Sequence, residues 1–165
     1  MEFNIDIAEN LKISDAELSE LLSQVYVDAG FVTPEIAKSV FEVSAVRKRG
    51  KLLCARSKNN YDFAGMLIIV YPESKEARFQ QFDAAELHLL GVKNKFQGYG
   101  LGKSLVSKSL EDIYQAGYPR ILLATQKEMH AAHHLYKSLG FYRKKSLDFK
   151  RNETIFIAYE KLTNS

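Results

Sequence analysis

Apolar and polar residues alternate at the start of the chain. Phe3, Ile5 and Ile7 are the apolar set, which predicts a strand over residues 2–8. The period then changes to helical, with Leu18, Leu21, Leu22, Val25 and Tyr26 on one stripe. Ser14-Asp15-Ala16-Glu17 forms a capping box at its start, and Gly30 supplies the stop. Thr33-Pro34 opens a second helix, with Thr as cap and Pro at the first position. Ile36, Ala37, Val40, Phe41 and Ala45 form its stripe, and the helix runs to Arg47-Lys48-Arg49-Gly50. Cations in a last turn complement the helix dipole, so this basic run reads as a helix end and not as a nucleic-acid patch. Strands follow over 51–57 and 63–71 around a turn at Ser57–Asp62, and Pro72 ends the second. Glu73–Asp83 is polar and reads as loop.

Ala85–Val92 is the next strand, followed by a glycine-rich loop and a helix over 101–116 that Gly117 closes. Leu101, Leu105, Val106, Leu110, Ile113 and Tyr114 share one face of that helix. Arg120–Thr125 is a short apolar strand. His130–Leu139 is a helix stopped by Gly140, with Ala132, Leu135 and Leu139 inward. Phe141–Leu147 and Thr154–Leu162 are the last two strands, around a polar turn at Asp148–Glu153. The order β-α-α-β-β-β-α-β-α-β-β predicts an α/β fold. It has a mixed twisted sheet of about seven strands, with about four helices covering both faces. The 165 residues suit one domain spanning 1–165.

Composition changes this picture little, since 46% hydrophobic and 26% charged residues are ordinary for a globular chain. The formal net charge of +3 suits a phosphorylated ligand and is too small to argue for nucleic acid. A single cysteine, Cys54, excludes an internal disulfide and a cysteine-rich metal site. It reads as a buried structural thiol in a reducing, cytoplasmic setting. Met1–Asn10 carries acids and no apolar core, so it is no secretory signal. No apolar run approaches the ~20 residues that cross a bilayer, and no membrane partner is expected.

The chemistry concentrates in Glu86–Ser104, E-L-H-L-L-G-V-K-N-K-F-Q-G-Y-G-L-G-K-S. Strand, glycine loop and helix N-terminus build a phosphate cradle, because the first N–H groups of the helix point at the anion and the dipole favours it. Gly98, Gly100 and Gly102 leave room for a phosphate at the main chain. A Walker A loop would use Gly102-Lys103-Ser104 as its end, but its first glycine falls on Gln97. The strand Ile121-Leu122-Leu123-Ala124 also runs into Thr125 and not into a metal-binding aspartate. A dinucleotide fingerprint fails on glycine spacing and on its late place in the chain.

Gln97-Gly98-Tyr99-Gly100-Leu101-Gly102 satisfies Q/R-x-x-G-x-G/A and resembles the acyl-coenzyme A pyrophosphate loop of the GNAT family of N-acetyltransferases. Ala85-Glu86-Leu87-x-x-Leu90-x-Val92 looks like that family's fourth strand. Ala132-x-x-Leu135-Tyr136-x-x-x-Gly140-Phe141 looks like its second motif. The resemblance covers residues 85–142. It implies a GNAT fold, acetyl-CoA as acetyl donor, no metal, and transfer to a primary amine of a small molecule by direct attack in a ternary complex. The backbone of Leu90, Gly91 and Val92 would pair with the pantetheine arm like an added strand. Gln97, Gly98, Tyr99, Gly100, Leu101, Gly102, Lys103 and Ser104 would hold the pyrophosphate. Lys93 and Lys95 would meet the 3′-phosphate or face water.

An ammonium nucleophile with a pKa of about 10 must lose a proton before it attacks. Glu86 occupies the place where several family members carry their general base, acting directly, through water, or with His88 as neighbour or alternative. By strand alternation Glu86, His88 and Leu90 share the face opposite Leu87 and Leu89. Tyr136 matches the tyrosine that protonates the departing thiolate. Met129 stands where many members have an asparagine bonded to the pantetheine, a bond methionine cannot make. His130 and His134 have i, i+4 spacing, but Ala131 breaks the zincin pattern and no third ligand is evident, so no metal is expected. The acceptor would lie near the first two helices, Phe31–Pro34 and the last strand pair, with Tyr26, Asp28 and Glu35 as candidate contacts. A protein or peptide amine as acceptor, a CoA-binding module without turnover, and a homodimer stay open.

Overall fold

The structure is a computed structural model that describes residues 1–164. Among them are eight strands and five α-helices. In chain order these are β1 (Phe3–Ile7), α1 (Asp15–Leu22), α2 (Pro34–Val40), α3 (Val43–Arg49), β2 (Lys51–Ser57), β3 (Phe63–Val70) and β4 (Ala84–Val92). Then follow α4 (Leu101–Gln115), β5 (Arg120–Gln126), α5 (His130–Ser138), β6 (Tyr142–Arg143), β7 (Phe149–Arg151) and β8 (Thr154–Leu162). The mixed α/β architecture is the expected one, with one strand and one helix more than the sequence pattern indicated.

The chain forms two compact units. The first holds Met1–Ile69 and Leu89–Val106; the second holds Val70–His88 and the chain from Ser107 on. β4 gives its first five residues to the second unit and its last four to the first.

In the first unit β1, β2 and β3 form an antiparallel ladder, with Phe3 opposite Ser57 and Lys51 opposite Ile69. Every residue of β3 is buried, as its unbroken apolar run predicts. α1 begins with the expected capping box: Ser14 N–H donates to Glu17 Oε2 at 2.8 Å, and Glu17 N–H donates to Ser14 Oγ at 3.2 Å. Beyond Leu22 the helix widens into a π-helical segment, Ser23–Asp28, and Gly30 at φ +82° closes it.

The second predicted helix is two helices. Phe41, at φ −110° and ψ 24°, ends α2. Glu42 then turns to an extended conformation and caps α3, its carboxylate accepting from Ser44 N–H at 3.1 Å and Ala45 N–H at 2.9 Å. The carboxylate's own cap is what starts a new helix there. Arg47 binds Asp15 at 2.8 Å and the Ile13 carbonyl at 2.6 Å, and Arg49 binds the Val40 carbonyl at 3.1 Å. Two cations of the basic run are therefore committed inside the unit.

In the second unit the start of β4 runs parallel to β5, from Ala84 opposite Arg120 to Leu87 opposite Leu123. β5 pairs antiparallel with β8, which also carries β6 and β7. The strand expected over 141–147 is only two residues long. Asp148 causes the break: its carboxylate accepts from Ala158 N–H at 2.8 Å and from Arg143 at 2.5 Å, so a side chain replaces the ladder. β7 resumes it and turns into β8 through Asn152 and Glu153, both at positive φ, as a two-residue hairpin requires. The turn is thus shorter than the predicted Asp148–Glu153.

Candidate active site

β4 changes character at its middle. Leu89 has φ +52°, a left-handed conformation rare for a residue with a side chain. The parallel ladder with β5 ends two residues earlier, at Leu87. Alternation cannot be carried through such a residue, so the expected common face of Glu86, His88 and Leu90 holds only for Glu86 and His88. Leu87 is buried as core, whereas Leu89 is half-buried.

Past this point the first unit grips the strand by its backbone. The Tyr26 hydroxyl, from the π-helical segment, donates to the Leu90 carbonyl at 3.1 Å. Tyr26 is buried and holds the strand through this bond; Asp28 and Glu35 are exposed. A Cβ on Gly91 would meet Leu21 Cδ2 at 2.8 Å and Val25 Cγ2 at 3.5 Å, so α1 and its continuation pack closely on the strand here and a side chain at 91 would push the end of Leu21 aside. Gln97 Nε2 donates back to the Val92 carbonyl at 3.1 Å and to Asn94 Oδ1 at 3.3 Å, closing the turn before the loop. Asn94 N–H donates to Gln24 at 3.0 Å. Lys93 is paired with Glu20 at 2.9 Å and Lys95 with Asp62. Both lysines therefore have carboxylate partners.

The glycine loop runs directly into α4, the loop-to-helix order expected from sequence. Gly98 and Gly100 stand at φ +84° and +78°, and nothing lies within 4 Å of where their Cβ atoms would be. Their requirement is conformational and the space above them is open. Gly102 lies in the first turn of α4, and Leu101 and Leu105 are buried beneath it. Ser104 N–H and Oγ both bond the Gly100 carbonyl, at 3.0 and 3.2 Å. A helix leaves its first N–H groups without intrahelical acceptors. Tyr99 and Lys103 are exposed.

In the second unit Glu86 is 1% exposed, and both its oxygens are occupied. Oε1 accepts from Arg78 N–H and from His88 Nε2, and Oε2 accepts from Phe79 N–H, each at 2.8 Å. Burial pushes this carboxyl up, and the bonds from His88, Phe79 and Arg78 outweigh it, leaving it below its ordinary value. Sequence reasoning missed that the polar loop 73–83 supplies two of those donors. Main-chain donors carry no sequence signal.

Tyr136 is the buried residue of α5, where Ala132, Leu135 and Leu139 were expected to point inward and are only half-buried. Its ring meets Phe141 edge-on at 5.6 Å and Tyr159 at 6.3 Å. Gly140 at φ +86° turns the chain so that Phe141 N–H reaches the Tyr136 carbonyl at 3.0 Å. Met129 stands at the N-cap of α5, and Thr125 Oγ1 donates to its sulfur at 3.4 Å. His133 lies 2.7 Å from the Tyr159 hydroxyl and 3.1 Å from the Gln126 carbonyl, so both its ring nitrogens are engaged. Among the described residues no group of three or more His, Cys, Asp or Glu is placed to hold a metal. Burial pushes the Cys54 thiol up to about 12, which keeps it protonated and unreactive. No described helix is long and apolar enough to cross a membrane.

The chain is similar to known acetyltransferases. It is 39% identical over 56 residues to a mycothiol acetyltransferase of Thermobifida fusca, covering 34% of this chain and 17% of that protein. It is 37% identical over 62 residues to the human N-acetylaspartate synthetase, covering 38% of this chain and 20% of that protein. The chain thus spans a fifth or less of these relatives' length. A solved acetyltransferase of Bacillus subtilis in complex with CoA superposes with a TM-score of 0.68 at 19% identity, over 96% of this chain and 97% of that one. The family model described as acetyltransferase (GNAT) family matches residues 16–141. That match takes in α1, the whole of β4, the glycine loop and Tyr136, and the chain belongs to the GNAT family of acetyltransferases.

Proposed function

We propose that this chain, acting as one domain, is an N-acetyltransferase that moves the acetyl group of acetyl-CoA to a primary amine of a small molecule by direct attack. The observation that carries the reading is the loop Gln97–Gly100. Two glycines at positive φ under open space lead straight into the start of α4, where a helix leaves its first N–H groups without intrahelical acceptors. The residues fit a pyrophosphate there, with Gln97, Gly98, Tyr99, Gly100, Leu101, Gly102, Lys103 and Ser104 around it. The carbonyl of Leu90 and the main chain of Gly91 and Val92, held by Tyr26 and Gln97, would present an edge to the pantetheine arm. An N–H of that segment would polarise the thioester carbonyl. Met129 would line the arm through apolar contact.

The thioester supplies an activated acyl carbon and a thiolate leaving group. The Glu86–His88 pair takes up the acceptor's proton, because the free amine is the nucleophile. The Tyr136 hydroxyl returns a proton to the sulfur. A mild positive charge and a reduced, buried Cys54 support an enzyme of the cytoplasm. The relatives' names point to different acceptors, so the acceptor is the property to measure. The test is thiol release from acetyl-CoA with a panel of polyamines, amino acids, aminoglycosides and peptide N-termini. Acetylation of at least one small amine is expected. Turnover with peptides alone would move the acceptor class to proteins, and acetyl-CoA binding without any turnover would leave a CoA-binding module.

A further inference from the structure

The turn between β2 and β3 and the loop between β1 and α1 enclose a cavity of about 540 Å³ that lies wholly within the first unit. Small-molecule sites run from roughly 300 to 1,000 Å³. Asn4 lines the cavity from β1, where it stands opposite Arg56 of β2, and opposed residues share one face of a sheet. Phe3 leaves the other face of β1 and meets Phe96 edge-on at 5.8 Å. None of Gln97–Ser104 lines the cavity, which is therefore a place apart from the glycine loop.

Two of its lining residues, Lys12 and Tyr61, stand at φ +52° and +60°. Such conformations are uncommon for residues with side chains and gather where a fold holds them for a use. One guanidinium holds both here. Arg56 Nη2 donates to the Lys12 carbonyl at 3.1 Å, and Nη1 donates to the Tyr61 carbonyl at 2.8 Å. Its other three N–H groups go to the Leu11 carbonyl and to Glu17, so Arg56 builds the wall and has none left for a ligand. The charge that remains is positive, since no carboxylate lines the cavity. Asp6 nearby already accepts from Ile7 N–H at 2.7 Å and from Asn10 Nδ2 at 3.0 Å. Lys12 is exposed and makes no ion pair among the described residues. Lys58, also in the lining, pairs with Glu2 at 3.2 Å, and these side chains are 55% and 77% exposed, so water screens the contact. Tyr61 is 76% exposed, which leaves its ring open to a ligand.

We propose that this cavity is a second ligand site, which binds a nucleoside monophosphate separately from the acetyl donor. Lys12 and Lys58 hold the phosphate as mobile point charges. The Tyr61 ring gives the base a face to stack on, and the Asn4 amide offers its edge one acceptor and a pair of donors, the pattern that suits adenine. A bare phosphate would engage the lysines and leave most of the volume and the tyrosine unused. The site stands whether or not the chain transfers acetyl groups, because it shares no residue with the glycine loop.

The test is calorimetric titration of AMP into the full chain, with adenosine and inorganic phosphate titrated as its two halves. Wild type, Lys12→Gln, Tyr61→Leu and Gly100→Trp are compared. A saturable AMP isotherm is expected, with each half weaker by about tenfold or more. Lys12→Gln and Tyr61→Leu should each weaken AMP by about fivefold or more. Gly100→Trp fills the glycine loop and should bind AMP as wild type does, which keeps this site distinguishable from the cofactor's. Amide spectra of labelled wild type with AMP locate the ligand without any variant, and shifts are expected in Asn10–Lys12 and Ser57–Tyr61. No saturation by about 1 mM AMP overturns the proposal. So does either half binding as tightly as AMP, or unchanged affinity in Lys12→Gln or Tyr61→Leu. AMP binding lost in Gly100→Trp, or shifts confined to Gln97–Ser104, would place AMP on the cofactor loop and overturn it as well.

Discussion

Glu17 and Glu86 are two carboxylates that each accept several hydrogen bonds, and their partners differ in kind. Glu17, in the first unit, accepts from Ser14 N–H at 2.8 Å and from Arg56 at 2.8 and 3.0 Å. The Arg56 guanidinium bonded to it draws its carboxyl down to about 2. Arg56 further donates to the carbonyls of Leu11, Lys12 and Tyr61, so that corner is closed on itself. Glu86, in the second unit, is also drawn down, but one of its three donors is an imidazole. A guanidinium stays charged through any step the enzyme takes, whereas a histidine can change its charge. On the proposed reading, the carboxylate that locks a fold and the one that serves a reaction differ in the partner's ability to titrate.

The largest expected effect is the loss of turnover in His88→Gln, which has no counterpart at the Glu17 corner. Arg56→Ala provides the matching break there. It strands five hydrogen bonds and a half-buried carboxylate and should cost about 3 kcal/mol, lowering Tm by roughly 6–12 °C in a chain of this size. Its kcat/KM, measured well below that Tm, should equal wild type. A loss of turnover at full folding would show that the two corners are not separate.

Glu86→Gln should be milder for stability, about 1–3 kcal/mol at pH 7, since one of the loop N–H groups would then face an amide NH2. The sign with pH follows from the lowered carboxyl. Its contribution is present above the ordinary carboxylate range of about 4.3 and fades as pH falls below it toward the folded value. The gap between wild type and Glu86→Gln in denaturant melts should accordingly narrow on acidification below pH of about 4. A gap that widens on acidification would mean that Glu86 is protonated in the fold.

Much of the fold was legible because its signals are local. The Ser14–Glu17 box, the stop at Gly30, the apolar run of β3 and the glycines before α4 each act within a few residues. The misses share a different cause. Glu42 capping a new helix and Asp148 taking over a ladder bond depend on side chains serving the backbone, and no periodicity encodes either these or the left-handed turn at Leu89. The site divides the same way. Glu86, Tyr136 and the loop are candidates because the motifs around them resemble those of the family. Tyr26 on Leu90, Leu21 against Gly91 and the Arg78 and Phe79 N–H groups on Glu86 are contacts between distant stretches or main-chain donors.

Calorimetric titration of acetyl-CoA into wild type and Gly100→Trp tests the central claim most directly. Gly100 is at φ +78° with nothing near its missing Cβ, so tryptophan strains the loop by about 1–2 kcal/mol and fills the cradle without entering the core. Saturable binding to wild type, weakened at least tenfold in Gly100→Trp with cooperative melting retained, is the expected result. No binding to wild type, or equal binding to both proteins, would contradict it.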